Sequence, residues 1–119
     1  MSFYPQWLPG TKPEGYDEHR ARVRENLRLP GHWKAFVQTS RTSHAPAEQR
    51  LDAVKAPSVV VMGAADVDWK DPADEAAWIG RRLRADVVMV AEVGHYPQVQ
   101  APVITAGAVT RLIDEVTHA

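Results

Sequence analysis

The chain of 119 residues contains no cysteine. This absence excludes disulfide bonds, thiolate metal sites and a cysteine nucleophile together. It also suits a reducing compartment, so we expect a cytoplasmic protein.

Net charge and long apolar runs are scarce as well. The net charge is -1, so the chain has no broad basic field that would attract nucleic acid. No apolar run approaches the roughly 18 residues of a membrane helix, and the first residues, MSFYPQWLPG, lack the pattern of a signal peptide. We therefore expect neither nucleic acid nor a membrane as a partner.

Sequence motifs for metals and dinucleotides are also absent. The chain has no HExxH and no two histidines at i, i+4, which argues against a zinc site. Gly63 alone follows an apolar run, far short of GxGxxG, which argues against a dinucleotide site. We expect no metal and no cofactor.

What is present divides into two segments, and the first covers residues 1–46. Residues 1–15 are rich in proline and glycine and carry scattered large apolar side chains, which predicts an irregular segment lying on an apolar surface. These side chains are Phe3, Tyr4, Trp7 and Leu8. A helix is predicted over 16–29, ended by Pro30-Gly31, and a second short helix after it.

From residue 56 onward the pattern is that of an α/β fold. The stretches PSVVVMG and DVVMV each predict a strand buried on both faces, as in a parallel sheet. Between them, Asp71 and Pro72 are typical of the start of a helix. A final helix places four apolar residues on one stripe, Val109, Leu112, Ile113 and Val116. The order strand, helix, strand, helix predicts a parallel pair of strands.

An acid and a histidine follow these two strands. Asp66 lies three residues beyond Gly63, and His95 directly follows Gly94. The carboxyl ends of parallel strands meet at one edge of a sheet, where ligands and chemistry gather. If the strands are neighbours, Asp66 accepts a hydrogen bond from one ring nitrogen of His95 and leaves the other nitrogen as a general base. The alternatives are an ordinary turn residue at 66 and a structural histidine at 95.

With these residues in place, residues 47–119 resemble the C-terminal part of the α/β-hydrolase family. The resemblance is carried by the Gly63–Asp66 turn and the Gly94-His95-Tyr96-Pro97 turn, each after a buried strand, with one helix between them. It implies the C-terminal βαβα part of an α/β-hydrolase sheet over 47–119, preceded by a helical cap remnant over 1–46.

The same resemblance implies roles for individual residues. Asp66 and His95 would be the acid and the histidine of a Ser-Asp-His type triad that hydrolyses ester-like bonds. Asp68 is the alternative acid. Trp69 and Tyr96 flank the pair and are candidates for substrate binding, with packing against the cap as the alternative role.

The nucleophile of such a triad is missing. The chain has no GxSxG elbow, and its four serines, Ser2, Ser40, Ser43 and Ser58, lack the flanking glycines. We expect the isolated chain to be nearly inactive. We also expect a partner chain with the N-terminal half of the hydrolase fold, or a homo-oligomer, because two parallel strands alone do not make a stable sheet. The competing hypothesis is a non-catalytic α/β binding or assembly module.

Overall fold

A computed structural model of the protein describes residues 5–118 and shows a mixed, mostly helical α/β fold. Within this range there are six α-helices and one two-stranded parallel sheet. In chain order the elements are α1 (Tyr16–Arg28), α2 (His32–Thr39), α3 (Ala45–Glu48), β1 (Val59–Gly63), α4 (Pro72–Leu83), β2 (Asp86–Val90), α5 (Pro97–Gln100) and α6 (Pro102–Thr117). The prediction for residues 1–15 falls partly on residues 1–4, which include Ser2 and lie outside the described residues.

The described chain divides into two compact units. The first, Pro13–Arg50, holds α1, α2 and α3. The second holds the sheet, α4, α5, α6 and residues 5–12. The sequence placed residues 1–46 together, whereas the structure packs residues 5–12 with the strands. The reason is hydrogen bonding, since the carbonyl of Trp7 accepts the N–H of His95 and the carbonyl of Pro9 accepts the side chain of Gln100.

β1 and β2 lie side by side and run parallel. Val59 is opposite Asp86, and Gly63 is opposite Val90. Because the two parallel strands are paired along their full length, their carboxyl ends meet at the same edge of the sheet. The segments that carry Asp66 and His95 both leave the sheet at this edge.

α4 and α6 cover opposite faces of this sheet. A Cβ on Gly80 of α4 would meet the side chain of Val87, so α4 packs close to that face. The next residue, Val88, points to the other face and lines a groove with Ala108 and Leu112 of α6.

None of the helices in the described part of the chain has the length and apolar content needed to cross a membrane.

The prediction that both strands are buried on both faces is wrong for β2. Val87 and Met89 are each 38% exposed. The predicted apolar stripe of α6 also divides, because Leu112 faces the sheet while three other members are exposed by 44%, 54% and 51%, namely Val109, Ile113 and Val116. A single helix on each face of two strands cannot cover all the apolar surface that this sequence carries. The second unit therefore presents an uncovered apolar surface.

Candidate functional site

Asp66 is positioned by the turn that follows β1. Its backbone N–H donates to the carbonyl of Gly63 at 3.2 Å. The N–H of Ala65 donates to the carbonyl of Val93 at 2.8 Å, which ties this turn to the chain that follows β2. The Asp66 side chain is only 4% exposed. Its Oδ1 accepts the backbone N–H of Asp68 at 3.0 Å, so the carboxylate is held from within its own turn.

His95 is positioned by hydrogen bonds to the N-terminal segment and to α5. Its backbone N–H donates to the carbonyl of Trp7 at 2.8 Å. The preceding N–H, of Gly94, donates to Oε1 of Gln100 at 3.0 Å. The same Gln100 donates through Nε2 to the carbonyl of Pro9 at 2.6 Å. The Gln100 side chain thus links the Gly94-His95-Tyr96-Pro97 turn (the histidine turn) to residues 5–12 (the N-terminal segment).

Glycine is required where these turns approach each other. A Cβ on Gly63 would overlap the carbonyl oxygens of Val93 and Gly94. A Cβ on Gly94 would overlap the carbonyl of Trp7. Backbone atoms cannot rotate aside as a side chain can, so any larger residue would push the turns apart. Gly63 thus keeps the Gly63–Asp66 turn (the acid turn) in contact with the histidine turn, and Gly94 keeps the histidine turn in contact with the N-terminal segment.

The structure brings Asp66 and His95 together. Nδ1 of His95 lies 2.9 Å from Oδ2 of Asp66. An ionised carboxylate can only accept hydrogen bonds. Nδ1 therefore carries the proton, and Nδ1–H donates a hydrogen bond to Oδ2 of Asp66. In a neutral ring Nε2 is then the unprotonated nitrogen, on a side chain that is 38% exposed. This nitrogen can accept a proton from a group that approaches from solvent.

Asp68 also faces His95, but less closely. Its Oδ2 lies 3.3 Å from Nδ1, and its side chain is 39% exposed. Its other oxygen, Oδ1, accepts the indole N–H of Trp7 at 2.7 Å. Of the two candidate acids, Asp66 has the shorter distance to the imidazole and the more buried carboxylate. We call Asp66, Asp68 and His95 together the acid–histidine cluster.

The two predicted substrate-binding residues lie in different places. The Tyr96 ring stands edge-on to the imidazole, with centroids 5.1 Å apart. Trp69 is 40% exposed and lines an open cleft with Asp71 and Trp78 at the start of α4. Tyr96 therefore packs on the cluster, whereas Trp69 borders a neighbouring depression.

Trp7 is a site residue that the sequence analysis did not single out. Its indole binds Asp68, its carbonyl binds the N–H of His95, and its ring centroid lies 5.7 Å from that of His95. The next residue, Leu8, is fully buried. The only signal in the sequence was the density of aromatic residues in a segment rich in proline and glycine. That signal indicated packing, but not against which surface.

The acid–histidine cluster also has the composition of a metal site. Each residue offers one ligand atom, and the three atoms lie within 4.8 Å of one another. Three nitrogen and oxygen ligands match the number of protein ligands in a catalytic zinc site. Nδ1, however, already donates to Asp66, so a metal ion and this proton would compete for one place.

Ser58 is the one described serine of the second unit, and it lies away from the acid–histidine cluster. It directly precedes β1, at the end of the strand opposite to Asp66, and its hydroxyl donates to the carbonyl of Ala56. Ser40 and Ser43 belong to the unit Pro13–Arg50, where the Ser40 hydroxyl donates to the carbonyl of Val37. Within the described part of its own unit, the cluster therefore has an acid and a base without a serine beside them.

Comparisons with protein-family models, with curated proteins and with solved structures found no match. The chemistry of the site follows from its own geometry. That geometry is a buried carboxylate, an imidazole bound to it through Nδ1, and an Nε2 that can take or give a proton.

Proposed function

We propose that the chain is the C-terminal, acid- and histidine-bearing part of an α/β-hydrolase. In this proposal Asp66 and His95 belong to a Ser-Asp-His type triad that hydrolyses ester-like bonds. One observation carries it, the 2.9 Å contact between Nδ1 of His95 and Oδ2 of Asp66. The two residues follow neighbouring parallel strands at the carboxyl edge of the sheet, which is where open α/β sheets place their chemistry.

The geometry supports a complete sequence of proton transfers. As the serine oxygen adds to the ester carbonyl, Nε2 of His95 takes the hydroxyl proton. Asp66 stays ionised, keeps its hydrogen bond to Nδ1 and stabilises the imidazolium. His95 then gives the proton to the leaving oxygen, which departs as an alcohol. The acyl group remains on the serine, and water then attacks its carbonyl while His95 takes a proton from the water. His95 returns this proton to the serine oxygen, which releases the carboxylic acid and restores the serine.

The serine comes from a partner chain, or from a further segment of chain, that carries the N-terminal half of the fold. That half would also supply the backbone N–H donors that stabilise the oxyanion. Loss of a triad nucleophile costs on the order of a million-fold in turnover. We therefore expect the chain by itself to be nearly inactive.

The uncovered apolar surface of the second unit suits such a partner. Among the described residues β1 pairs only with β2, so its other edge is open to a further strand. The exposed stripe of α6, Val109, Ile113 and Val116, is a second apolar area. We expect a partner strand to extend the sheet beside β1 and a partner surface to cover α6.

The same surface supports a second candidate. In a homo-oligomer, or in a non-catalytic binding or assembly module, copies of this chain would cover the open edge of β1. This candidate needs no serine, so the acid–histidine pair would be a structural hydrogen bond only. Reactivity of a serine in the native assembly separates the two candidates.

The test uses material purified through this chain from the cells that produce it. Native mass spectrometry reports the chains present, and a fluorophosphonate probe labels a triad-activated serine. We expect a labelled serine on a second chain or on a further segment of chain, and p-nitrophenyl ester hydrolysis to follow the labelled species. His95→Ala is expected to abolish both labelling and hydrolysis. His118→Ala, at the end of α6, is the matched control and is expected to change neither.

Two results would contradict the proposal. One is labelling and hydrolysis that persist in the His95→Ala variant, since the imidazole would then take no part in the reaction. The other is a preparation that is folded, pure, monomeric and inactive. A pure homo-oligomer without labelling would favour the assembly module instead.

A further inference from the structure

Two carboxylates face a single imidazole nitrogen in the acid–histidine cluster. Nδ1 of His95 lies 2.9 Å from Oδ2 of Asp66 and 3.3 Å from Oδ2 of Asp68. Nδ1 carries at most one proton, so it donates one strong hydrogen bond, and the second carboxylate competes for it. The outcome of this competition depends on what else each carboxylate binds.

Trp7 binds the competing carboxylate. Its indole Nε1–H donates to Oδ1 of Asp68 at 2.7 Å, while Oδ2 is the atom that faces His95. An indole N–H is a donor only, so it holds Asp68 without accepting the Nδ1 proton itself. Hydrogen bonds to an ionised acceptor are roughly twice as strong as neutral ones, so this contact favours the observed orientation of Asp68.

Trp7 is itself held at the site by the histidine turn. Its carbonyl accepts the N–H of His95 at 2.8 Å. Its ring centroid lies 5.7 Å from that of His95 and 6.2 Å from that of Tyr96. The absence of a side chain on Gly94 allows this close approach. One residue therefore touches both the competing acid and the imidazole.

We propose that Trp7 is a positioning residue for the histidine. Its indole N–H holds Asp68, and its ring packs against the imidazole, so that Nδ1–H donates to Asp66 rather than to Asp68. The use of Nε2 in catalysis rests on the proposed function above, whereas the positioning of the ring does not. The resting protein accordingly contains one Nδ1–H hydrogen bond, from His95 to Asp66.

The test is nitrogen-15 NMR of the imidazole in the full chain at mildly alkaline pH. The wild-type protein is expected to show a protonated Nδ1 and an unprotonated Nε2. Trp7→Phe keeps a ring beside the imidazole and removes the indole N–H, and we expect the Nδ1–H proton resonance to shift because the hydrogen bond is then shared between Asp66 and Asp68. Adding Asp68→Ala removes the competitor and is expected to restore the wild-type Nδ1–H resonance. Trp78→Phe removes an indole on α4 and is the matched control, expected to match wild type.

An unchanged Nδ1–H resonance in Trp7→Phe would overturn the proposal, and so would a shift that Asp68→Ala fails to reverse. If circular dichroism shows that Trp7→Phe does not fold, Asp68→Ala alone decides. A shifted indole N–H resonance of Trp7 with an unchanged Nδ1–H resonance in that variant supports the proposal, because Trp7 then held an Asp68 that took no share of Nδ1–H. An unchanged indole resonance, or a shifted Nδ1–H resonance, overturns it. Since no measurement here uses turnover, failure of the hydrolase proposal would leave this result standing.

Discussion

The substitution Gly63→Ala is expected to separate the acid turn from the histidine turn. The new Cβ would overlap the carbonyl oxygens of Val93 and Gly94, which are backbone atoms. Relieving this overlap requires the turns to move apart by at least about 1 Å. That movement would stretch the 2.8 Å bond from the N–H of Ala65 to the carbonyl of Val93, which ties the two turns together.

The cost has two parts. Overpacking a tight contact typically costs about 1–3 kcal/mol, and loss of one backbone hydrogen bond costs about 1 kcal/mol. We therefore expect the free energy of unfolding to fall by about 2–4 kcal/mol. For a chain of this size the same change lowers Tm by roughly 4 °C per kcal/mol. In the enzyme complemented by the serine-bearing half of the fold, a displacement of about 1 Å between Asp66 and His95 would lower turnover on the order of a hundredfold.

Urea unfolding followed by circular dichroism measures the stability change, and nitrogen-15 NMR of His95 reports the loss of its bond to Asp66. Gly107→Ala on α6 is the matched control, because a Cβ there meets nothing within 4 Å. It is expected to stabilise the chain by about 0.5–1 kcal/mol, since alanine favours a helix over glycine. If Gly63→Ala unfolded at the wild-type urea concentration and kept the Nδ1 proton signal, the reasoning from close approach would be refuted.

Three further outcomes are expected. Asp66→Asn should lower the steady-state kcat of the complemented enzyme by about 10⁴-fold, because an amide does not hold the imidazole in the required tautomer. Asp68→Asn should lower kcat far less. Equal losses in the two variants would remove the distinction between the two acids. EDTA should leave fluorophosphonate labelling unchanged, because the proposed chemistry moves a proton; a loss that zinc restores would assign the cluster to a metal instead. Ile113→Asp should change the free energy of unfolding by less than about 0.5 kcal/mol, since the side chain is 54% exposed, yet reduce the recovery of a second chain. Undiminished recovery of a second chain would show that α6 does not contact the partner chain.

Local pattern was enough to predict the order of the elements in the second unit. The apolar runs became β1 and β2, and the Asp71-Pro72 pair begins α4, where the Asp71 carboxylate accepts two backbone N–H groups at 3.0 Å. The helix predicted over 16–29 is α1, Tyr16–Arg28. Each of these features depends on residues within a few positions of one another, so the sequence carries it directly.

Burial was predicted less well. A strand pattern indicates that a segment suits the inside of a sheet, but exposure depends on how many neighbours are present. β2 has one neighbouring strand and one helix against its Val87 face, which leaves Val87 and Met89 each 38% exposed. The exposed stripe of α6 has the same cause.

By itself, the order of amino acids determined two strands, the helix between them, and the acid and the histidine that follow their carboxyl ends. Tertiary structure alone decided that Asp66 lies nearer to Nδ1 of His95 than Asp68 does, and that Trp7 binds Asp68. The physical reason is separation along the chain. The first contact joins residues 29 positions apart and the last joins residues 61 positions apart, and only the folded backbone, with glycine at the point of closest approach, brings them within hydrogen-bond distance.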